Sequence, residues 1–322
     1  MSMRLTFYPQ QREQSLHLET NNFMKNGGNI SPLALFKNLK KTPSPHESET
    51  LRGPKIEEIL QELDSLIGLA SVKKLILEIQ AFMEIQKRRE KENLLTDPLV
   101  FHAIFKGNPG TGKTTVARIL GNLFKEMGIL KKGHVIEVER ADLVGEYIGH
   151  TALKTREQIK NALGGVLFID EAYSLARGGE KDFGKEAIDT MVKAMEDHKN
   201  NLILILAGYK EEMSWFLQSN PGLRSRFPLH VDFPDYSIQE LLAIAEQMLL
   251  KRQYQLTEEA KKELENILTQ KIIIKQEHHG NARLVRNLIE KAIRRQAVRL
   301  VNQLQVTRND LILITWRDLQ QF

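Results

Sequence analysis

Residues 107–114 read Gly-Asn-Pro-Gly-Thr-Gly-Lys-Thr, and this stretch decides how the chain folds. It satisfies the phosphate-loop pattern G-x-x-x-x-G-K-[ST] throughout. Gly107, Gly110 and Gly112 let backbone N–H groups turn inward around phosphate oxygens, with Asn108, Pro109 and Thr111 completing the loop. Lys113 reaches the β- and γ-oxygens, the Thr114 hydroxyl can ligate Mg²⁺, and Thr115 follows as a further contact. Roughly fifty residues on, Val166 to Ala172 read V-L-F-I-D-E-A. This is a short apolar strand ending in two carboxylates. Asp170 is expected to make the second-shell magnesium contact and Glu171 to orient the attacking water. A phosphate loop alone arises by chance in long chains. Followed at this spacing by such a strand, it has no comparably simple structural origin, and the expected chemistry is ATP hydrolysis with ATP and Mg²⁺ as cofactors.

The flanks agree. Val100 to Lys106 reads as a buried strand feeding the loop. After Lys113 the apolar positions Val116, Ala117, Ile119, Leu120, Leu123, Phe124 and Met127 keep helical spacing until Gly128 stops the helix. Strand, glycine loop and helix N-terminus together point the helix dipole and free N–H groups at a phosphate.

The 322 residues suit two domains and an extra segment, and the absence of cysteine excludes disulfides, thiolate catalysis and Cys-based zinc sites. The longest apolar run, Leu202 to Ala207, falls far short of the ~20 residues that cross a bilayer. The N-terminus lacks a signal-peptide core, so a soluble cytoplasmic protein without membrane insertion is expected. Of the net charge of +5, the segment from Phe233 onward holds 14 Lys+Arg against 11 Asp+Glu. Much of that charge follows one helical pattern: Arg283, Arg286, Lys291, Arg294, Arg295 and Arg299. A solvated helix face with one arginine directed at ATP phosphate is the preferred reading. No aromatics alternate with these charges to stack bases, so a nucleic-acid partner is not expected.

Residues 1–55, rich in Asn, Gln, Ser, Lys and Pro, read as a flexible arm with a short helix near Pro32 to Leu39. Residues 56–233 alternate strand and helix: strands at His134 to Val138, Val166 to Asp170, Leu202 to Ala207 and Leu229 to Phe233, and helices at Thr151 to Leu163 and Lys185 to His198. That alternation predicts an α/β fold with a parallel sheet sandwiched between helices. From residue 234 to 322 strand signals nearly vanish. Helices near 237–252, 257–269 and 282–302 predict a smaller C-terminal helical domain with a short tail.

With a P-loop, a D-E strand, S-R-F and then G-N-A-R in a helical domain, the chain resembles the AAA+ ATPases over roughly residues 56 to 315. The strings A-D-L-V-G-E-Y-I-G-H-T, D-E-A-Y-S-L, L-A-G-Y, S-N-P-G-L-R-S-R-F and D-F-P-D-Y are similar to the branch containing red-type Rubisco activase and the stage V sporulation protein K. The run A-R-G-G-E-K-D-F-G-K-E-A-I-D leans toward the sporulation side. The resemblance implies a homo-oligomeric ring, a hexamer, that spends ATP to pull or remodel a protein client, with a role in bacterial sporulation. The competing class is a clamp-loader or helicase-loader type ATPase acting with nucleic acid. It would need basic loops in the pore, where V-G-E-Y-I-G-H has one acid and no Lys or Arg.

Several roles come with the resemblance. Arg226 falls at the arginine finger, supplied to a neighbouring subunit, with Arg224 as alternate. Arg283 matches the lid arginine called sensor 2. Where many relatives carry a polar Asn or Thr as sensor 1, this chain has Tyr209, which either donates its hydroxyl there or simply packs. Ile67 and Gly68, with Leu69, match the segment lining the adenine pocket, though an ordinary helix-starting turn explains them nearly as well. Tyr147, Ile148 and Gly149 match the pore loop. Independently, an aromatic–aliphatic pair on a loop bounded by Gly145 and Gly149 marks a contact surface.

Two motifs are set aside. Asp182-Phe183-Gly184 spells the kinase D-F-G, but no H-R-D-type loop accompanies it. His278-His279 lacks a third ligand at metal-binding spacing.

Overall fold

The computed structural model describes residues 53–96, 100–147, 149–177, 182–274 and 280–320. The expected N-terminal arm up to residue 52, Ile148 of the expected pore loop, and His278-His279 lie outside the described residues.

Helix α1 (Pro54–Ser65) starts with proline at its first position, where the missing N–H costs nothing. It buries Ile56, Leu60 and Leu63, one face at helical spacing. Gly68 and Leu69 both take positive φ to turn the chain into α2 (Ala70–Lys91). Strand β1 (Ala103–Gly107) then delivers the glycine loop to α3 (Lys113–Glu126), which ends where Gly128 adopts φ +78°. Next come β2 (Val135–Val138), the single turn α4 (Arg140–Leu143) and α5 (His150–Ala162). β3 (Val166–Ile169) runs into a 3-10 turn at Ala172–Ala176, and α6 (Gly184–Asp197) follows. β4 (Ile203–Gly208), α7 (Lys210–Ser219), α8 (Pro221–Arg224) and β5 (Leu229–Phe233) complete this part.

The five strands stand in the order β2-β3-β4-β1-β5, and every pairing is parallel. Such a sheet is covered on both faces, so its central strands carry unbroken apolar runs. All four residues of β3 and all six of β4 are buried. Around them Met191, Met195, Phe216 and Phe227 close one core; burying each side chain of this size contributes about 1.5–3 kcal/mol. Because the strands are parallel, the segments following β1, β3 and β4 emerge at one edge. That edge is where ligands bind in open α/β sheets.

Beyond β5 the chain is mostly helical: α9 (Ile238–Leu250), α10 (Glu258–Ile274) and α11 (Asn281–Val301) pack around Leu241, Leu264, Leu268, Val285 and Leu288. Here the structure corrects the sequence reading. The two-residue strand β6 (Gln255–Leu256) pairs in parallel with β7 (Leu313–Ile314), and the supposed tail is folded, with α12 (Arg308–Ile312) before β7 and α13 (Trp316–Leu319) after it. Leu319 and Ile314 are fully buried in the helical core. No helix of the described residues is long and apolar enough to cross a membrane.

Candidate functional site

A cleft of about 1050 Å³ opens at the C-terminal edge of the sheet, between it and the helical part. Lys113, Thr114, Thr115, Asp170, Glu171 and Arg283 all line it, so the loop after β1, the carboxylates after β3 and the start of α11 face one space.

The loop's geometry follows from its glycines. Gly110 and Gly112 sit at φ +76° and +97°, in the region L side chains avoid. A Cβ on Gly110 would lie 2.5 Å from the Gly280 carbonyl, and one on Gly107 would lie 2.3 Å from that of Phe233. Thr111 is fully buried, its hydroxyl donating to the Asn108 carbonyl at 2.8 Å. Lys113 Nζ bends over the loop and donates to the carbonyls of Gly107 (2.7 Å) and Asn108 (2.9 Å). Burial pushes the Lys113 ammonium below the ordinary lysine range; Asp170 opposes the shift and Arg283 adds to it.

At the end of β3, the Asp170 amide donates to Val138 of β2 (3.0 Å), and one Asp170 carboxylate oxygen accepts from the Glu171 amide (3.0 Å). Glu171 has φ 46° and ψ 43°, a left-handed conformation costing a non-glycine residue about 1 kcal/mol. Strain of this kind gathers at functional positions. Tyr209, just past β4, lines the same cleft half-buried, its ring 6.0 Å from that of Tyr173. Burial and the nearby Glu171 charge push its hydroxyl up, so it stays a neutral donor. It packs near Tyr173 and lines the cleft.

Apolar side chains also line the cleft, Ile67, Leu69, Ile244 and Met248 with Tyr236, whose hydroxyl donates to the Thr111 carbonyl of the loop at 3.1 Å. Gly68 packs close to Glu240 and Tyr236: a Cβ there would lie 2.6 Å from Glu240 Oε1. Tyr236, Ile244 and Met248 were not singled out from sequence, because they lie far along the chain and arrive only when α9 folds back. The D-F-P-D-Y string carried the one available signal. The Asn108 side chain donates to Asp235.

Three expected residues lie outside this cleft. Arg226 lines a separate cleft of about 610 Å³ beside α2, paired with Glu196 at 3.1 Å and donating to the Gly222 carbonyl at 2.9 Å. Arg224 is exposed on α8. Tyr147 is 66% exposed on a loop with a firm base: the Gly145 amide donates to the Thr151 hydroxyl (2.9 Å) and the Thr155 hydroxyl to the Leu143 carbonyl (3.1 Å). Its ring stands edge-on to His150. Its neighbour Glu146 lines the main cleft.

The donor set fits a nucleoside triphosphate with a hard divalent cation. The apolar lining residues suit a base, and a glycine loop at a helix N-terminus with Lys113 suits phosphates. A hydroxyl at Thr114 and a carboxylate at Asp170 suit Mg²⁺, which takes few protein ligands and completes its shell with phosphate oxygens. Among the described residues no group of three or more His, Cys, Asp or Glu forms an all-protein metal site.

Comparison with known proteins agrees. Residues 103–235 match the family described as "ATPase family associated with various cellular activities (AAA)", and residues 237–322 match "AAA lid domain". The chain is similar to stage V sporulation protein K of Bacillus subtilis, 56% identical over 265 residues that cover 82% of each chain. It is similar to the chloroplastic ribulose bisphosphate carboxylase/oxygenase activase of Cyanidioschyzon merolae, 47% identical over 268 residues, 82% of this chain and 91% of that one. Protein CbbX of Cereibacter sphaeroides is 48% identical over 250 residues, covering 77% and 80%.

Proposed function

The chain belongs to the AAA+ ATPases, and from that premise we propose that it hydrolyses ATP with Mg²⁺ as one subunit of a hexameric cytoplasmic ring that remodels a protein client. The observation that carries the chemical part is the convergence of Lys113, Thr114, Asp170 and Glu171 on a single cleft. Thr114 and Asp170 would hold Mg²⁺, which when bound neutralises charge on the phosphate oxygens. Lys113, released from its two carbonyls, pairs with the β- and γ-phosphates. The Glu171 carboxylate orients the attacking water and takes its proton. Arg283 approaches from the lid.

Assembly and work rest on two residues outside the cleft. Arg226 is turned away from its own subunit's phosphate loop, as a finger serving a neighbour would be. Tyr147 stands exposed on a braced loop whose Glu146 touches the nucleotide cleft, which suits a residue gripping an extended peptide by ring packing. A role in sporulation is supported by the similarity to stage V sporulation protein K.

The test is a pair of substitutions. Lys113→Ala is expected to lose ATP binding. Glu171→Gln is expected to bind ATP yet turn it over at least ~10²-fold more slowly, because positioning the nucleophile is worth several kcal/mol. Wild-type turnover in Glu171→Gln would remove Glu171 from the chemistry.

A further inference from the structure

We propose that Asp235 is a positioning residue that ties the phosphate loop to the lid, gripping Asn108 on one side and Asn281 on the other. The inference rests on the ATPase reading above and adds to it a route between two parts of the site. A carboxylate only accepts hydrogen bonds and an amide NH₂ only donates them, so a carboxylate between two amides forms a matched set. Asn108 Nδ2 donates to both oxygens of Asp235, at 3.0 and 2.9 Å. Asn281 Nδ2 donates to Asp235 Oδ1 at 2.7 Å and to the loop carbonyl of Pro109 at 3.3 Å. Asn281 Oδ1 in turn accepts from the Tyr236 amide at 3.0 Å.

The three residues come from three places: the phosphate loop, the link after β5, and the first turn of α11. Asn281 is fully buried and takes φ 43°, a conformation Asn tolerates better than most residues. The contact is reinforced where the Ala282 amide donates to the Gly110 carbonyl at 3.2 Å.

These bonds close a path. Lys113 Nζ donates to the Asn108 carbonyl, the Asn108 side chain holds Asp235, Asp235 holds Asn281, and two residues further α11 carries Arg283. A phosphate that draws Lys113 off the Asn108 carbonyl therefore perturbs the residue through which the lid is anchored. Charge-assisted bonds of this kind are stronger than neutral ones; Asp235 itself is exposed, while the Asn281 it holds is fully buried.

The experiment is hydrogen exchange on the full chain with and without Mg·ATP, alongside ATP affinity. In the wild type, ATP is expected to protect both residues 107–115 and the start of α11; a wild type that fails to bind ATP would defeat the functional reading itself. In Asp235→Ala, saturating ATP is expected to protect the phosphate loop but not α11, with affinity about tenfold weaker. Equal protection of α11 in variant and wild type would overturn the proposal. Asn108→Ala and Asn281→Gly, the latter keeping the positive φ accessible, provide the second arm should Asp235→Ala fail to fold. Each is expected to lose α11 protection, and their combination to weaken binding no more than the worse single change. Multiplying effects would mean two independent contacts and would overturn the relay.

Discussion

At the residue scale, the grouping of side chains in one cleft is legible where the backbone itself brings them together. Lys113, Thr114, Asp170 and Glu171 were placed from spacing because a loop, a helix start and a strand end fix their positions within a few residues. Asp235 and Asn281 were not, because their partners lie 127 and 46 residues away and nothing local marks a hydrogen bond across that separation. His102 shows the same blindness. In sequence it is one polar residue in an apolar strand. In the fold it is buried, and its Nδ1 accepts the Leu204 amide at 3.0 Å, which requires that nitrogen to be unprotonated. Burial pulls its pKa down to about 4, against the weaker opposing charge of Glu196. An unfolded chain takes up a proton near pH 6.5 that the folded chain refuses until about pH 4. Stability through this group is therefore full above pH 6.5 and falls as pH drops across that window. Going from pH 7 to pH 5 should cost about 2 kcal/mol at His102, and His102→Asn should remove that component. Urea unfolding of both proteins at the two pH values measures it. An identical pH dependence in the variant would assign the loss to other groups.

Among the elements, the buried strands and the amphipathic helices declared themselves by period, and β5 falls at the expected Leu229–Phe233. The pairing of β6 with β7 did not, since two-residue strands have no period and their partner lies 58 residues away. The basic run on α11 also resolves only in three dimensions. Arg283 and Arg286 face the cleft, while Arg299 turns to α13 and makes a two-pronged pair with Asp318 at 2.8 and 2.9 Å. Asp318 is 1% exposed and also accepts from the Thr315 amide and hydroxyl. Burial alone would raise its pKa, but Arg299 and Thr315 outweigh it and hold the carboxyl below its ordinary value. Its stabilising effect is thus intact at neutral pH and lost only as pH falls through that depressed value. Asp318→Asn leaves Arg299 partly buried without its anion, and we expect a loss of about 3 kcal/mol. Thermal unfolding with a probe in the helical part reads this directly; an unchanged midpoint would show that α13 is held by its apolar contacts alone.

For the molecule as a whole, the proposed ring makes Arg226 the residue to watch. Its pair with Glu196 is partly exposed, and such pairs contribute only about 0–1 kcal/mol, so the guanidinium is free to exchange that partner for a phosphate across an interface. Arg226→Ala is expected to keep ATP binding and lose turnover. Mixing it with Lys113→Ala should restore part of the activity, because some interfaces then join an intact loop to an intact finger. Turnover per subunit that is independent of concentration in the wild type, or no recovery on mixing, would place the chemistry within one chain. One further consequence lies in the pairing of β2 with β3. The two strands run in register from Val135 opposite Val166 to Val138 opposite Ile169, and the Asp170 amide adds a last rung to Val138. A ladder of this kind has almost no slack along its length. In the proposed ring, a shift of the Asp170 peptide would pass across this rung to Val138, and a single helical turn separates Val138 from the loop bearing Tyr147. In engineering terms the molecule has a short, stiff linkage with little backlash. In the proposed remodelling ring, the stroke available per event would be small, and useful travel would have to come from many such strokes in succession.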